Sequence, residues 1–168
     1  RCTIDASDGS PVQVLGLNDV VVSRAGAGGM IIVRVRRDAA ELGTYRGDGV
    51  IAATAIGSTA YSMAAGGPVG APDLDALVLT PLASHSLSVR PLVLPVGTGL
   101  DFEIVEVGDQ PHAYCIVDGQ VQTKVAVGTR IRLQPAPMRF RHLVQSREQF
   151  FQVLVAKFGF AGMAKSRG

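Results

Sequence analysis

The 168 residues carry 16 Lys and Arg against 14 Asp and Glu, a formal net charge of +2, and 47% of the chain is hydrophobic. A chain of this length and apolar content buries a core of its own, so one compact domain is expected over 1–168 rather than a disordered segment. The basic residues are scattered and leave no footprint for nucleic acid or an anionic membrane. The apolar runs at 74–82 and 92–96 break well short of the roughly 20 residues a spanning helix requires.

Arg1-Cys2-Thr3-Ile4-Asp5 has no signal-peptide pattern. Cys2 and Cys115 lie too far apart for a metal knuckle or a disulfide framework; they read as an incidental thiol and a strand residue of a cytoplasmic protein. From there glycine and proline punctuate short segments rich in Val, Ile and Leu, a rhythm of strands and turns. Strands are expected at 17–23, 30–36, 49–54, 74–80, 92–95, 102–107, 113–117, 121–127 and 130–133. In the second of these, Ile31, Val33 and Val35 alternate with Arg34 and Arg36, as in a half-buried strand. Gly26-Ala27-Gly28-Gly29 ahead of it is a turn; no helix follows to make it a dinucleotide fingerprint.

Two segments read as helical. One is 58–65, bounded by Gly57 and by Gly66-Gly67-Pro68, with hydroxyl residues placed to cap its first turn. The other is 147–158, where Ser146 and Gln149 make a capping-box pattern and Phe150, Phe151, Leu154, Val155 and Phe158 recur at helical spacing before Gly159. That aromatic stripe is packing surface, and the small polar tail at 161–168 is expected to fray. The fold class that follows is mainly β, a two-sheet, β-sandwich-like domain of about a dozen short strands with two short helices.

Polar groups gather against this apolar background at four places. Asn18-Asp19 interrupts an apolar run, so at least one side chain turns inward or to a rim and needs a partner, either backbone or ligand. Gly47-Asp48-Gly49 reads by itself as a tight turn with a solvated carboxylate. The stretch 54–62 passes from a strand through Gly57 into a short helix whose first amides could seat a ligand. His85 stands among Ser84, Ser86 and Ser88, but no nearby carboxylate completes a hydrolase triad. His112 and His142 stand alone, without metal-ligand spacing, so no metal site is expected in this chain.

Taken together these pieces resemble the NAD kinase family, in order and spacing. The resemblance is carried by Leu17-Asn18-Asp19-Val20, Gly47-Asp48-Gly49, Gly57-Ser58-Thr59-Ala60-Tyr61-Ser62 with Gly66-Gly67-Pro68, Leu79-Thr80-Pro81, His85 to Pro95, and Asp118-Gly119-Gln120. It implies the substrate-binding, carboxy-terminal half of an enzyme that phosphorylates the adenosine ribose 2′-hydroxyl of NAD to give NADP, using ATP or polyphosphate and a divalent metal such as magnesium. By the same resemblance Asn18 and Asp19 hold the adenosine part of NAD, and Thr59, Ala60 and Tyr61 line the adenine and ribose pocket. Thr54, Ser58 and Ser62 belong to the same NAD-binding set. Asp48 reaches the nicotinamide end of a dinucleotide in a neighbouring copy, which implies a homodimer or homotetramer.

Two departures stand out. Thr54-Ala55-Ile56-Gly57 replaces the family's Thr-Pro-Thr-Gly, removing a stiffening proline and a hydroxyl. The Gly-Gly-Asp-Gly-Thr loop that carries the family's phosphate cradle and catalytic base is missing, so no catalytic residue is expected here and the preceding α/β domain is taken to be absent. An alternative reading is a stand-alone dinucleotide-binding or oligomerisation module without kinase activity. A lipid-kinase relative fits the segments at 57–61 and 85–90 less well.

Overall fold

The computed structural model describes residues 1–5, 10–26, 28–86, 88–141, 143–146 and 148–159. The chain divides into two compact units, 1–138 and 139–168. Among the described residues the first unit holds twelve strands: β1 Cys2–Asp5, β2 Val12–Val14, β3 Asp19–Arg24, β4 Ile31–Arg37, β5 Ala40–Gly47, β6 Gly49–Thr54, β7 Ala76–Leu82, β8 Leu92–Pro95, β9 Leu100–Glu106, β10 Ala113–Val117, β11 Val121–Val125 and β12 Arg130–Leu133. A 3₁₀ turn at Gly57–Thr59 and the one-turn helix α1, Tyr61–Ala64, lie between β6 and β7.

The strands form two antiparallel six-stranded sheets, ordered β2-β1-β12-β9-β4-β5 and β11-β10-β3-β6-β7-β8. Between them lies the main core, to which β4 contributes Ile31, Val33 and Val35, β9 gives Leu100, Phe102 and Ile104, β3 gives Val20 and Val22, and β10 gives Cys115 and Val117. The alternation expected in β4 is therefore present. Arg34, on its other face, pairs with Glu103 at 3.0 Å, and Arg132 pairs with Asp101 at 2.8 Å. The mainly β, two-sheet class is the one the patterning predicts.

The second sheet is apolar on its outer face as well. Val21, Ile51, Ala53, Val78 and Leu82 make a smaller cluster, joined by Ala65 just after α1 and by Ile116. Beneath α1 a polar pair interrupts it: Ser62 Oγ and Thr80 Oγ1 lie 2.8 Å apart, both residues fully buried. Ser62→Ala and Thr80→Val are each expected to cost about 1–3 kcal/mol, because each strands the other hydroxyl in an apolar site. The double variant should be near wild type. Urea unfolding of the two singles and the double checks this non-additivity.

Several local expectations need correction. The helix expected at 58–65 is a 3₁₀ turn followed, after Ala60 at φ −91° and ψ −129°, by the four residues of α1, and no side chain caps either piece. The serine and threonine hydroxyls turn back to the loop instead. Gly47-Asp48-Gly49 is not a solvated turn. Asp48 is the single residue joining β5 of one sheet to β6 of the other. Its N–H donates to the Leu82 carbonyl at 2.9 Å and its carbonyl accepts from Arg24 N–H at 2.9 Å, so the ladders continue through it. Strands β1, β2 and β5 had no clear sequence signal; β5 carries Glu41, Gly43 and Arg46 and forms a sheet edge.

Cys2 and Cys115 are both buried and free, and both belong to the main core. The neighbouring Cys2 thiol and burial push the Cys115 thiol up from its ordinary range.

In the second unit α2 spans Gln149–Phe158 and ends at Gly159 in the left-handed conformation (φ 60°), as the terminal glycine predicts. The capping box is not formed: Gln149 is the first helical residue, and its side-chain oxygen accepts from Gln145 N–H at 2.9 Å. Residues 147 and 160–168, with the expected frayed tail, lie outside the described residues, as does His142. Among the described residues no helix is long and apolar enough to cross a membrane.

Candidate functional site

On the outer face of the second sheet, β3 presents Asp19, Val21 and Ser23 in alternation, with Ile116 of β10 paired to Val21. These form the floor of an open cleft of about 440 Å³, within the range of small-molecule sites. Ala60 and Tyr61 also line it, together with Asn18, Asp118 and Gly119. Tyr61 is 50% exposed, so its ring offers an apolar surface to a ligand.

The turn into β3 is held on both sides. Thr54 N–H donates to the Asn18 carbonyl at 2.9 Å. Thr54 Oγ1 donates to the Leu17 carbonyl at 2.8 Å and accepts from Gly57 N–H at 3.0 Å. Gly57 packs its α-carbon so closely on Asn18 that a side chain there would overlap the Asn18 carbonyl. From the other side Asp118 accepts the N–H groups of Leu17, Asn18 and Asp19. Asp19 is buried, and its carboxyl is raised above the ordinary carboxylate range by that burial first and by the neighbouring Asp118 charge second.

Of the residues expected to bind a dinucleotide, Asn18, Asp19, Ala60 and Tyr61 meet in the cleft. Ser58 and Ser62 lie beneath its wall: Ser58 Oγ donates to the Ala55 carbonyl at 2.6 Å and accepts from Gly70 N–H at 2.8 Å, and Ser62 is occupied with Thr80. Thr59 Oγ1 donates to the Ile56 carbonyl at 3.3 Å. The amides of Gly57, Ser58 and Ala60 are already bonded within the loop, so the expected seat at a helix amino terminus is not formed. Asp48 lies at the opposite end of β3, about 17 Å from Asp19 by strand rise. There Arg24 Nε donates to its Oδ1 at 2.6 Å while Arg24 also reaches the Gly26 carbonyl.

Val21, Ser23, Ile116, Asp118 and Gly119 were not expected in the site. The period-2 register of β3 carries the signal for the first two, whereas Ile116 and Gly119 require knowledge of which strand pairs with β3.

The family model of the ATP-NAD kinase C-terminal domain matches residues 17–145. The chain belongs to this family. An NAD kinase of Bordetella parapertussis is 42% identical over 146 residues, covering 84% of this chain and 48% of that protein. The NAD kinase of Gemmatimonas aurantiaca is 36% identical over 169 residues, covering 99% of this chain and 57% of its own length. The chain thus spans about half the length of the curated relatives it matches.

Among solved structures, an NAD kinase from Archaeoglobus fulgidus in complex with ATP superposes with a TM-score of 0.73 at 28% identity, over 96% of this chain and 60% of that one. Yeast NADH kinase complexed with NADH shares the fold, with a TM-score of 0.87 at 24% identity over 99% of this chain and 51% of that one. The resemblance drawn from the motifs is thereby the family to which this domain belongs.

Proposed function

We propose that this chain is the NAD-binding, oligomerising half of an NAD kinase, an enzyme that transfers a phosphoryl group from ATP or polyphosphate to the adenosine ribose 2′-hydroxyl of NAD. The observation that carries the reading is the cleft itself, which joins the family's Asn18-Asp19 pair to Ala60 and Tyr61 on one sheet face. Asn18 and Asp19 would hold the adenosine hydroxyls and amine, with Tyr61 against the base. Thr54, Ser58, Thr59 and Ser62 would act from behind, keeping the loop at 57–62 fixed against Asn18.

A divalent metal, magnesium in this reading, would neutralise charge on the donor phosphates. Among the described residues no three His, Cys, Asp or Glu side chains converge as a metal seat. The buried free thiols suit a cytoplasmic setting.

Asp48 is assigned to the nicotinamide end of a dinucleotide bound by a second copy, in a homodimer or homotetramer. Its carboxylate is 45% exposed and oriented by Arg24, which leaves acceptor capacity for a partner's ligand. Calorimetric titration of NAD tests both parts. Wild-type chain should bind NAD and sediment as an oligomer. Asp48→Asn should weaken binding by about 1.5–3 kcal/mol, the cost of removing a charged acceptor from a buried ligand amide. A monomer whose affinity is unchanged by Asp48→Asn would end the shared-site assignment, and a wild-type chain that ignores NAD would end the functional reading.

A further inference from the structure

Asp118 occupies the first turn position of the β10–β11 hairpin. Asp118 and Gly119 have φ of 51° and 68°, and Gln120 N–H donates to the Val117 carbonyl at 3.0 Å, the geometry of a type I′ turn. Asn or Gly at 118 would serve that turn as well. The turn does not require what the carboxylate does next. Oδ2 accepts Leu17 N–H at 2.7 Å, while Oδ1 accepts Asn18 N–H at 2.7 Å and Asp19 N–H at 3.0 Å. The Asp118 N–H in turn donates to the Asp19 carbonyl at 2.9 Å. Three consecutive amides, about a hundred residues away in sequence, thus converge on one side chain.

Bonds of this kind to an ionised acceptor are shorter and stronger than neutral ones. They come with a penalty, since a second negative charge is kept beside the buried Asp19. Asn or Gly at the turn would avoid that repulsion, so the carboxylate answers to something other than the hairpin.

We propose that Asp118 is a positioning residue for dinucleotide binding: its carboxylate fixes the backbone of Leu17-Asn18-Asp19 so that the two polar side chains are presented to the cleft. The proposal rests on the NAD reading above. Asp118 grips the amide side of the segment from β10, and Thr54 grips the carbonyl side from β6. The segment is therefore held between the two strands that flank β3, and its side chains enter the cleft already ordered, which lowers the entropic cost of binding.

The test is titration of NAD into the chain carrying Asp118→Asn or Asp118→Gly, with thermal unfolding measured in parallel. Both replacements suit the positive φ of the turn. Asn keeps one acceptor oxygen but turns its NH₂ toward an amide donor, and Gly removes every acceptor. Kd is expected to rise about tenfold for Asn and further for Gly, with the number of sites per chain unchanged. Thr54→Val, which loosens the same segment from its carbonyl side, should show the same signature.

A merely structural residue behaves differently. Loss of folded protein lowers the number of competent sites and leaves Kd of the remainder as it was. That outcome, outright loss of the fold in the Asp118 variants, or a Kd equal to wild type, would overturn the proposal. Wild-type binding with unaffected variants removes this inference alone, whereas a wild-type chain that fails to bind NAD removes the functional reading along with it.

Discussion

Residues 1–168, purified and supplied with NAD, ATP and magnesium, are expected to form no detectable NADP. Phosphoryl transfer needs an activated hydroxyl, a positioned donor, and groups that stabilise charge spread over the moving phosphate. Of the carboxylates at the cleft, Asp118 accepts three amides and Asp19 is buried in the seat assigned to the adenosine, while Asp48 lies at the far end of β3 beside Arg24. Among the described residues none of Asp5, Asp38, Asp73, Asp75, Asp101 or Asp109 stands in a glycine-rich strand-to-helix loop. Missing general-base assistance alone lowers rates by about 10²–10⁴, and missing donor positioning lowers them further.

The assay should be repeated with a chimera carrying the amino-terminal half of a relative. Turnover confined to the chimera supports the kinase reading, and binding without turnover in either protein favours the stand-alone binding module. Appreciable NADP from residues 1–168 alone would mean that the catalytic apparatus has been misplaced.

Gly57→Ala is expected to abolish measurable NAD binding and to lower the unfolding free energy by roughly 3 kcal/mol, the upper end for overpacking. The new methyl group would overlap the Asn18 carbonyl, which is backbone and already accepts Thr54 N–H. Relief requires moving either the 3₁₀ turn or the segment that Asp118 grips from the other side. Either movement takes Asn18 away from Ala60 and Tyr61. Gly28→Ala is a suitable control, because a Cβ there meets nothing within 4 Å. Urea midpoints and NAD titrations on both variants settle the matter; normal binding by Gly57→Ala would show that the contact yields easily.

Strand β4 was legible because burial on one face imposes a period of two, as in Ile31, Val33 and Val35. The edge strand β5 was not, since its glycine and charges blur the pattern, whereas the edge strands β8 and β11 kept an apolar signal. At the site, Asn18 and Asp19 were visible as polar residues where the pattern called for apolar ones. The helix at 58–65 was overread because hydroxyl residues after a glycine look like caps, whereas here they bond to carbonyls and amides of their own loop. In the sequence Asp118 stands out only through the family pattern Asp118-Gly119-Gln120. Its three amide partners lie about a hundred residues upstream, a separation no local pattern can bridge.

The floor of the cleft is the reverse side of the core. Val20 and Val22 face the sandwich interior while Asp19 and Val21 face outward from the same six-residue strand, and Cys115 and Ile116 of β10 divide the same way. A binding surface built so has no opening unit of its own. Amide hydrogens along β3 and β10 are bonded to neighbouring strands inside their own sheet and exchange only when those strands part, so they should sit among the slowest of the described residues. A ligand in the cleft then stabilises the folded sandwich as a whole, and a core substitution that destabilises the sandwich weakens apparent binding without touching the ligand.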